Sequence, residues 1–231
     1  MTLRVLSTLA VAGAMRALLP RCEAAAGMEV SIDFSPTQGL LARVRAGERA
    51  EAAILTAEGL DALVAEGVLD AGGRVDLVHS HIGLAVRAGA PRSPIGTVEA
   101  LRAALLDAPS LVYSRSGASG IAFAALIETL GIAAEVNAKA RVIPAGFTAE
   151  PVARGEAALA VQQVSELLAV PGIEVIGRLP EEVGTVAVFG AAPFSGLPAD
   201  RAGAAGRLIR FLASGEAAPA LVAAGLEPLA G

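Results

Sequence analysis

The chain has 231 residues, with 18 Lys and Arg against 23 Asp and Glu, a net charge of −5, and 54% hydrophobic residues. This charge, without a basic run, argues against nucleic-acid binding, because a polyanion needs clustered Lys and Arg. A disulfide within the chain is excluded, because Cys22 is the single cysteine. The longest uncharged stretch, residues 183–199, contains glycines and prolines, so no membrane insertion is expected.

Short apolar runs alternate with amphipathic stretches along the chain. Strands are predicted at residues 3–6, 29–34, 52–55, 82–86, 111–113, 141–143, 159–161 and 174–176. Helices are predicted at residues 10–24, 36–45, 58–66, 98–106, 120–130, 150–154, 199–213 and 215–224. This alternation is typical of an α/β fold with mainly parallel sheets covered by helices on both faces.

Two apolar, extended segments, near residues 78–86 and 185–190, have the character of crossing strands. A chain that crosses out and back in this way forms two lobes. The prediction is residues 1–80 plus 188–231 for lobe I and residues 81–187 for lobe II. Ligands of open α/β folds bind beyond the carboxyl ends of the strands, which predicts a ligand cleft between the lobes.

Helix boundaries carry their own signals. Thr97, Thr148 and Ser214 stand where N-cap residues are expected, each with a glutamate two residues later. Gly131 and Gly225 follow helical patterns as expected C-terminal caps.

Three hydroxyl-rich turns follow predicted strands and open predicted helices. Free backbone N–H groups and the positive end of a helix attract an anion there, and Ser and Thr add donors. The candidate ligand-binding residues of these turns are Ser7, Thr8, Ser35, Thr37, Gln38, Ser114, Arg115, Ser116, Ser119 and Gly120. Helix capping is the alternative at each turn, but three equivalent turns favour a small-anion site. Arg115 suits a carboxylate or is a solvated loop charge.

The two histidines and a pair of glutamines complete the candidates. His79 and His81 lie on the same side of an extended segment, where they could transfer protons, donate to an anion, or simply be exposed. No third ligand accompanies them, so no metal site is expected. Gln162 and Gln163 follow an apolar run, which predicts one side chain reaching the ligand and the other on the surface.

Short segments in order along nearly the whole chain resemble the bacterial molybdate-binding-like solute receptors. They are LSTLAVAGA (6–14), FSPT (34–37), AILT (53–56), IGLAVRAGAP (82–91), YS (113–114), GASG (117–120), RGEA (154–157) and IRFLAS (209–214). The resemblance implies a periplasmic-binding-protein-like fold of two α/β lobes that hold an oxyanion with hydroxyl and amide groups. By position, Ser7, the turn from Ser35 to Thr37, and Ser119 would hold the ligand.

The sequence also departs from this pattern. Gln162 and Gln163 stand where molybdate receptors place a tyrosine, Arg115 has no counterpart, and His81 replaces a small residue. These departures favour an organic carboxylate over molybdate. The family includes an enzymatic branch, aconitate isomerase, whose reaction shifts an allylic proton and needs an acid and a base. In that reading His81 or His79 is the catalytic residue.

Two functions are therefore expected. The first is a solute-binding protein for a small oxyanion or carboxylate, with a transporter as partner if the protein is exported. The alternative is an isomerase of an unsaturated di- or tricarboxylic acid, which needs no cofactor. If Met1 is the native start, the cytoplasm is the expected compartment; if an export signal has been removed, it is the periplasm.

Overall fold

The structure is a computed structural model, and it describes residues 2–229. In chain order its strands and α-helices are β1 (Thr2–Ser7), α1 (Ala12–Ala26), β2 (Glu29–Phe34), α2 (Thr37–Arg45), β3 (Ala52–Thr56), α3 (Ala57–Ala65), β4 (Val75–Arg87), α4 (Val98–Asp107), β5 (Leu111–Ser114), α5 (Ala118–Thr129), α6 (Ala133–Ala138), β6 (Ala140–Ile143), α7 (Ala149–Ala153), β7 (Leu159–Gln163), α8 (Val164–Leu168), β8 (Ile173–Arg178), β9 (Val186–Pro193), α9 (Ala199–Leu212), α10 (Ala218–Ala223) and β10 (Glu227–Pro228). In this described range, no helix combines the length and apolar character needed to cross a membrane.

The chain forms two compact units. The first contains the residues up to His79 and those from Ala187 onward, and the second contains Ser80–Val186. The chain passes from the first unit to the second within β4 and returns near the start of β9.

In the first unit, β1 pairs in parallel with β2 and β3, and β3 pairs antiparallel with β9. All five residues of β3 are buried. Ala52 and Ile54 pack into a core with residues of α1 and α9, while Ala53 and Leu55 pack into a core with residues of α2 and α3. A strand covered on both faces needs apolar residues at every position, which explains the uninterrupted run.

In the second unit, β5 pairs in parallel with β6 and β7, and β4 pairs antiparallel with β7 and β8. Tyr113 of β5 and Phe123 of α5 lie at the centre of its core, with ring centroids 5.2 Å apart in an edge-on contact. The Tyr113 hydroxyl donates to Oδ1 of Asn137 at 2.6 Å. The buried contact between Tyr113 and Phe123 fixes α5 on β5, the strand that precedes it.

The predicted elements match the structure best where the periodicity is strongest. β2 has the predicted bounds, whereas β4 begins at Val75, before the strand predicted at residue 82 and the extended crossing segment predicted near residue 78. The short helices α6 and α8 are absent from the prediction. A helix of five or six residues spans less than two turns, which is too short for a clear 3.6-residue pattern.

The predicted caps were right in part. The Thr97 hydroxyl caps α4. Ser214 does not cap α10, because that helix begins at Ala218, and the Ser214 hydroxyl donates to a backbone carbonyl at the end of α9. Gly131 and Gly225 follow α5 and α10 with φ of 66° and 81°, the left-handed conformation expected after a helix end.

Candidate functional site

In the first unit, hydroxyl-bearing residues lie at the carboxyl ends of three adjacent strands. Ser7 ends β1, Ser35 follows β2, and Thr56 ends β3. Because these strands pair in parallel, their carboxyl ends share one edge of the sheet. The Ser35 N–H donates to the Ser7 carbonyl at 3.0 Å, and the Thr8 N–H donates to the Ile54 carbonyl at 2.9 Å. The first two predicted turns are therefore neighbours.

Some of these hydroxyl groups have local hydrogen bonds. Ser7 Oγ donates to the Thr8 carbonyl at 3.1 Å, and Thr8 Oγ1 accepts from the Ala10 N–H at 3.4 Å. Thr56 Oγ1 caps α3 by accepting from the Gly59 N–H at 3.2 Å. These local bonds hold the turns in one conformation. Ligand binding by Ser7 and Thr8 stays a prediction.

Helix α2 begins without a side-chain cap. Pro36 precedes it and Thr37 opens it, so its first backbone N–H groups have no partner within the helix. Thr37 is buried and Gln38 is exposed. Ser35 Oγ lies close to this helix start, since a Cβ on Gly39 would be 3.2 Å from that oxygen. An uncapped helix start beside a hydroxyl group is an arrangement that favours an anion.

The second unit repeats this arrangement at the start of α5. Gly117 is the N-cap residue and offers no side chain. The side chains of Ser114 and Ser119 are buried on either side of it. A Cβ on Gly117 would be 4.0 Å from both hydroxyl oxygens, so the two hydroxyl groups flank a space of about one methyl group. Gly120 packs directly against the backbone of Ser114.

The rest of this turn is tied to the loop that follows β6. The Ser116 N–H donates to Ser114 Oγ at 3.3 Å, and the Ser116 hydroxyl donates to the Pro144 carbonyl. Arg115 is exposed and brings a positive charge to the turn.

Both glutamines at the end of β7 are buried. The prediction that one lies on the surface is wrong, because α8 begins at the next residue and packs against β7. Gln162 Oε1 accepts from the Thr148 N–H at 2.7 Å and from the Thr148 hydroxyl at 3.0 Å, and Gln162 Nε2 donates to the Gly146 carbonyl at 3.1 Å. The predicted N-cap role of the Thr148 side chain is also wrong, because its hydroxyl points to β7, where Gln162 Oε1 and the Val161 carbonyl are its acceptors.

Gln163 and Glu166 cap α8 reciprocally. The Gln163 side chain accepts from the Glu166 N–H, and the Glu166 carboxyl accepts from the Gln163 N–H at 3.3 Å. Ser80 Oγ donates to Gln163 Oε1 at 2.9 Å. Burial raises the pKa of Glu166 from 4.5 to about 8. Glu166 is absent from the sequence-based candidates, although a capping residue followed three positions later by glutamate is a known helix-start signal.

His79 and His81 are half-buried on β4. Alternation along the strand directs both imidazoles away from the side of Ser80. His79 is the register partner of Glu227 in β10. No group of three or more His, Cys, Asp or Glu residues within residues 2–229 could hold a metal ion. Both histidines remain candidates for proton transfer.

Both units thus combine parallel strands with hydroxyl groups near an uncapped helix start. Two such α/β units, connected by the chain through β4 and β9, define the fold class, which is that of the two-lobed periplasmic binding proteins. The family model described as bacterial extracellular solute-binding protein matches residues 3–227. The chain belongs to this family.

One relative is similar in sequence over nearly the whole chain, and solved structures share the fold. An aconitate isomerase from Pseudomonas sp is 36% identical over 233 residues, which cover 99% of this chain and 88% of the relative. The periplasmic molybdate-binding protein of Azotobacter vinelandii has a TM-score of 0.80 at 15% identity, covering 97% of this chain and 98% of that one. The sulfate-binding protein SubI of Mycobacterium tuberculosis has a TM-score of 0.76 at 17% identity, covering 99% and 87%.

Proposed function

We propose that this protein binds a small, oxygen-rich anion. The observation that carries the proposal is the start of α5, where the Ser114 and Ser119 hydroxyl groups flank an uncapped helix. Unpaired backbone N–H groups and the helix dipole favour negative charge at such a place, and hydroxyl groups add neutral donors. The start of α2 beside Ser35 offers a second set of donors with the same chemistry.

We propose a small polycarboxylate as the ligand. The molybdate- and sulfate-binding proteins share the fold at 15% and 17% identity, whereas the aconitate isomerase is 36% identical over nearly the whole chain. This greater similarity supports a carboxylate. Arg115, exposed at the turn into α5, also fits this choice, because a guanidinium binds a carboxylate through two parallel hydrogen bonds.

The binding proposal is tested by titrating the protein with molybdate, sulfate, citrate and the two aconitate isomers. Aconitate or citrate is expected to raise the melting temperature, because binding to the native state stabilises it. Gly117→Ala places a methyl group between the two hydroxyl groups and is expected to weaken binding about tenfold, or about 1.4 kcal/mol. Gly96→Ala is the matched control, because a Cβ at Gly96 meets no atom within 4 Å. Binding to none of the anions, or equal affinities of the two variants, would contradict the proposal.

A second candidate function is isomerisation of the bound acid, which the aconitate isomerase relative favours. Moving the double bond of aconitate requires removing a proton from the methylene carbon and adding one to the former vinyl carbon, so atoms and charge balance without a co-reactant. The anion formed between these steps is stabilised by donors to the carboxylates. His79 and His81 have the right chemistry for the proton transfers.

Turnover is measured by following cis- and trans-aconitate in deuterated water by proton NMR. An isomerase is expected to interconvert the two acids and to incorporate deuterium at the exchanging carbon. Replacing the proton-transfer histidine, in His79→Ala or His81→Ala, is expected to lower kcat at least about 100-fold while binding is retained. Binding without turnover would leave the receptor function as the conclusion.

The receptor function also implies a membrane transporter as partner and a periplasmic location. Fractionation of cells that produce the protein from its native gene tests this location. Recovery from the cytoplasm alone would remove the receptor role and leave the isomerase.

A further inference from the structure

One buried carboxyl group in the second unit has no role in the proposed function so far. Glu166 is 7% exposed and lies on the helix that follows the two glutamines. Its carboxyl accepts the Gln163 N–H at 3.3 Å, and the nearby Gln162 side chain lowers its pKa. The Gln162 amide itself has three hydrogen bonds: it accepts from the N–H and the hydroxyl of Thr148 and donates to the Gly146 carbonyl.

These bonds continue from Glu166 to the start of α5. Gln162 fixes the loop of residues 144–148 at Gly146 and Thr148. The carbonyl of Pro144, in the same loop, accepts from the Ser116 hydroxyl. Ser116 in turn donates its N–H to Ser114 Oγ at 3.3 Å. Hydrogen bonds, the adjacent residues Gln162 and Gln163, and one short loop therefore connect the buried carboxyl with a hydroxyl group of the candidate site.

We propose that Glu166 is a positioning residue for ligand binding: its carboxyl holds the Gln163 N–H, which fixes the adjacent Gln162, and through the loop of residues 144–148 this arrangement holds Ser114 in place. This inference rests on the proposed binding of an anion at the start of α5. Glu166 does not have to contact the ligand in this role.

The charge state of Glu166 gives the proposal a measurable consequence. Burial raises its pKa to about 8, so the carboxyl is uncharged at neutral pH. α8 packs against β7, which carries no charged residue, and β8, whose charged residues are Glu174 and Arg178. Glu174 pairs with Arg92 at 3.1 Å, and neither charge on β8 contributes to the raised pKa. Above pH 8 the carboxylate adds negative charge to the network that supports an anion site.

The test compares wild type, Glu166→Gln and Glu135→Gln from pH 6.5 to 9.5, with trans-aconitate and molybdate as probes in calorimetric titrations. Wild-type affinity is expected to fall about tenfold between pH 7.5 and 9.5, because anion binding and ionisation of Glu166 oppose each other. Glu166→Gln is expected to keep the neutral-pH affinity throughout this range. Glu135→Gln, an exposed control in the same unit, is expected to behave as wild type. The same pH dependence in Glu166→Gln as in wild type would overturn the proposal.

A second measurement does not depend on a ligand. Amide hydrogen exchange reports on two bonds of the network: the Thr148 N–H donates to Gln162 Oε1, and the Ser116 N–H donates to Ser114 Oγ. Glu166→Leu is expected to speed exchange of both amides at least about tenfold relative to the rest of the second unit, while Glu166→Gln leaves them protected. Unchanged protection in Glu166→Leu would refute the positioning role. Failure of both probes to bind at every pH would refute the anion-binding function, and exchange would still decide the role of Glu166.

Discussion

The backbone carbonyl of Ser114 occupies the position that a side chain on Gly120 would need. A Cβ built on Gly120 would be 1.2 Å from that oxygen. At this point the strand that ends at Ser114 and the helix that contains Gly120 are in direct backbone contact. This contact brings the Ser114 hydroxyl next to the first turn of α5.

Gly120→Ala is expected to be severely destabilising, by about 3 kcal/mol or more, because the overlapping atom belongs to the backbone and cannot rotate away. The midpoint of urea unfolding measures the loss. Gly117→Ala, three residues earlier, is the control: its nearest atoms are 4.0 Å away, so stability is expected to change by less than about 1 kcal/mol. Equal stability of the two variants would mean that α5 does not rest on β5 in this way.

The order of strands and helices could be predicted because the apolar pattern is regular. In β2, Val30, Ile32 and Phe34 alternate with polar residues, and the predicted bounds are those of the structure. The hydroxyl turns could be predicted for the same reason, since they follow such strands. An extended segment could be predicted near residue 78, but the start of β4 at Val75 could not, because Asp76 interrupts the apolar run there.

The buried polar network could not be predicted from local patterns. Gln162 finds its partners 14 and 16 residues away, at Thr148 and Gly146. Tandem amides at a strand end are normally divided between the core and the surface, and only the helix that follows β7 buries both. The capping of α8 by Gln163 and Glu166 is the part of this network that local spacing does encode.

Gln162→Leu is expected to lower the free energy of unfolding by about 3 kcal/mol. Leucine is similar in size but leaves the Thr148 N–H and the Gly146 carbonyl without their partner, and an unsatisfied buried group costs about 1–3 kcal/mol. Denaturant unfolding at pH 7 measures the change. The control is Gln38→Leu, an exposed glutamine, for which less than about 0.5 kcal/mol is expected. A similar small change in Gln162→Leu would contradict the importance of this amide.

Glu166 is expected to make the protein less stable as pH rises. Its pKa is 4.5 in an ordinary setting and about 8 in the folded protein, so the native state binds more protons between these values. Stability therefore decreases from about pH 4.5 to about pH 8, by at most about 1.4 kcal/mol per pH unit, and then levels off. Glu166→Gln is expected to remove this dependence of stability on pH. The free energy of unfolding of the variant minus that of wild type is therefore expected to be near zero at pH 4 and greatest at pH 9. A constant difference between the two proteins would show that the carboxyl ionises normally in the fold.

Cys22 is expected to be unreactive in the native protein. Its thiol is fully buried on α1 among core residues such as Leu18, and burial raises its pKa from 9.0 to about 11. Since the thiolate is the reactive form, this shift alone lowers the rate with dithionitrobenzoate about 100-fold at pH 8, and exclusion of the reagent lowers it further. The rate in urea serves as the reference for the exposed thiol. Leu18→Ala, which opens a cavity in the same core, is expected to speed the native reaction by making local unfolding easier. If native wild type reacted at the rate of the unfolded chain, the thiol would be accessible to the reagent and α1 would not bury it in this core.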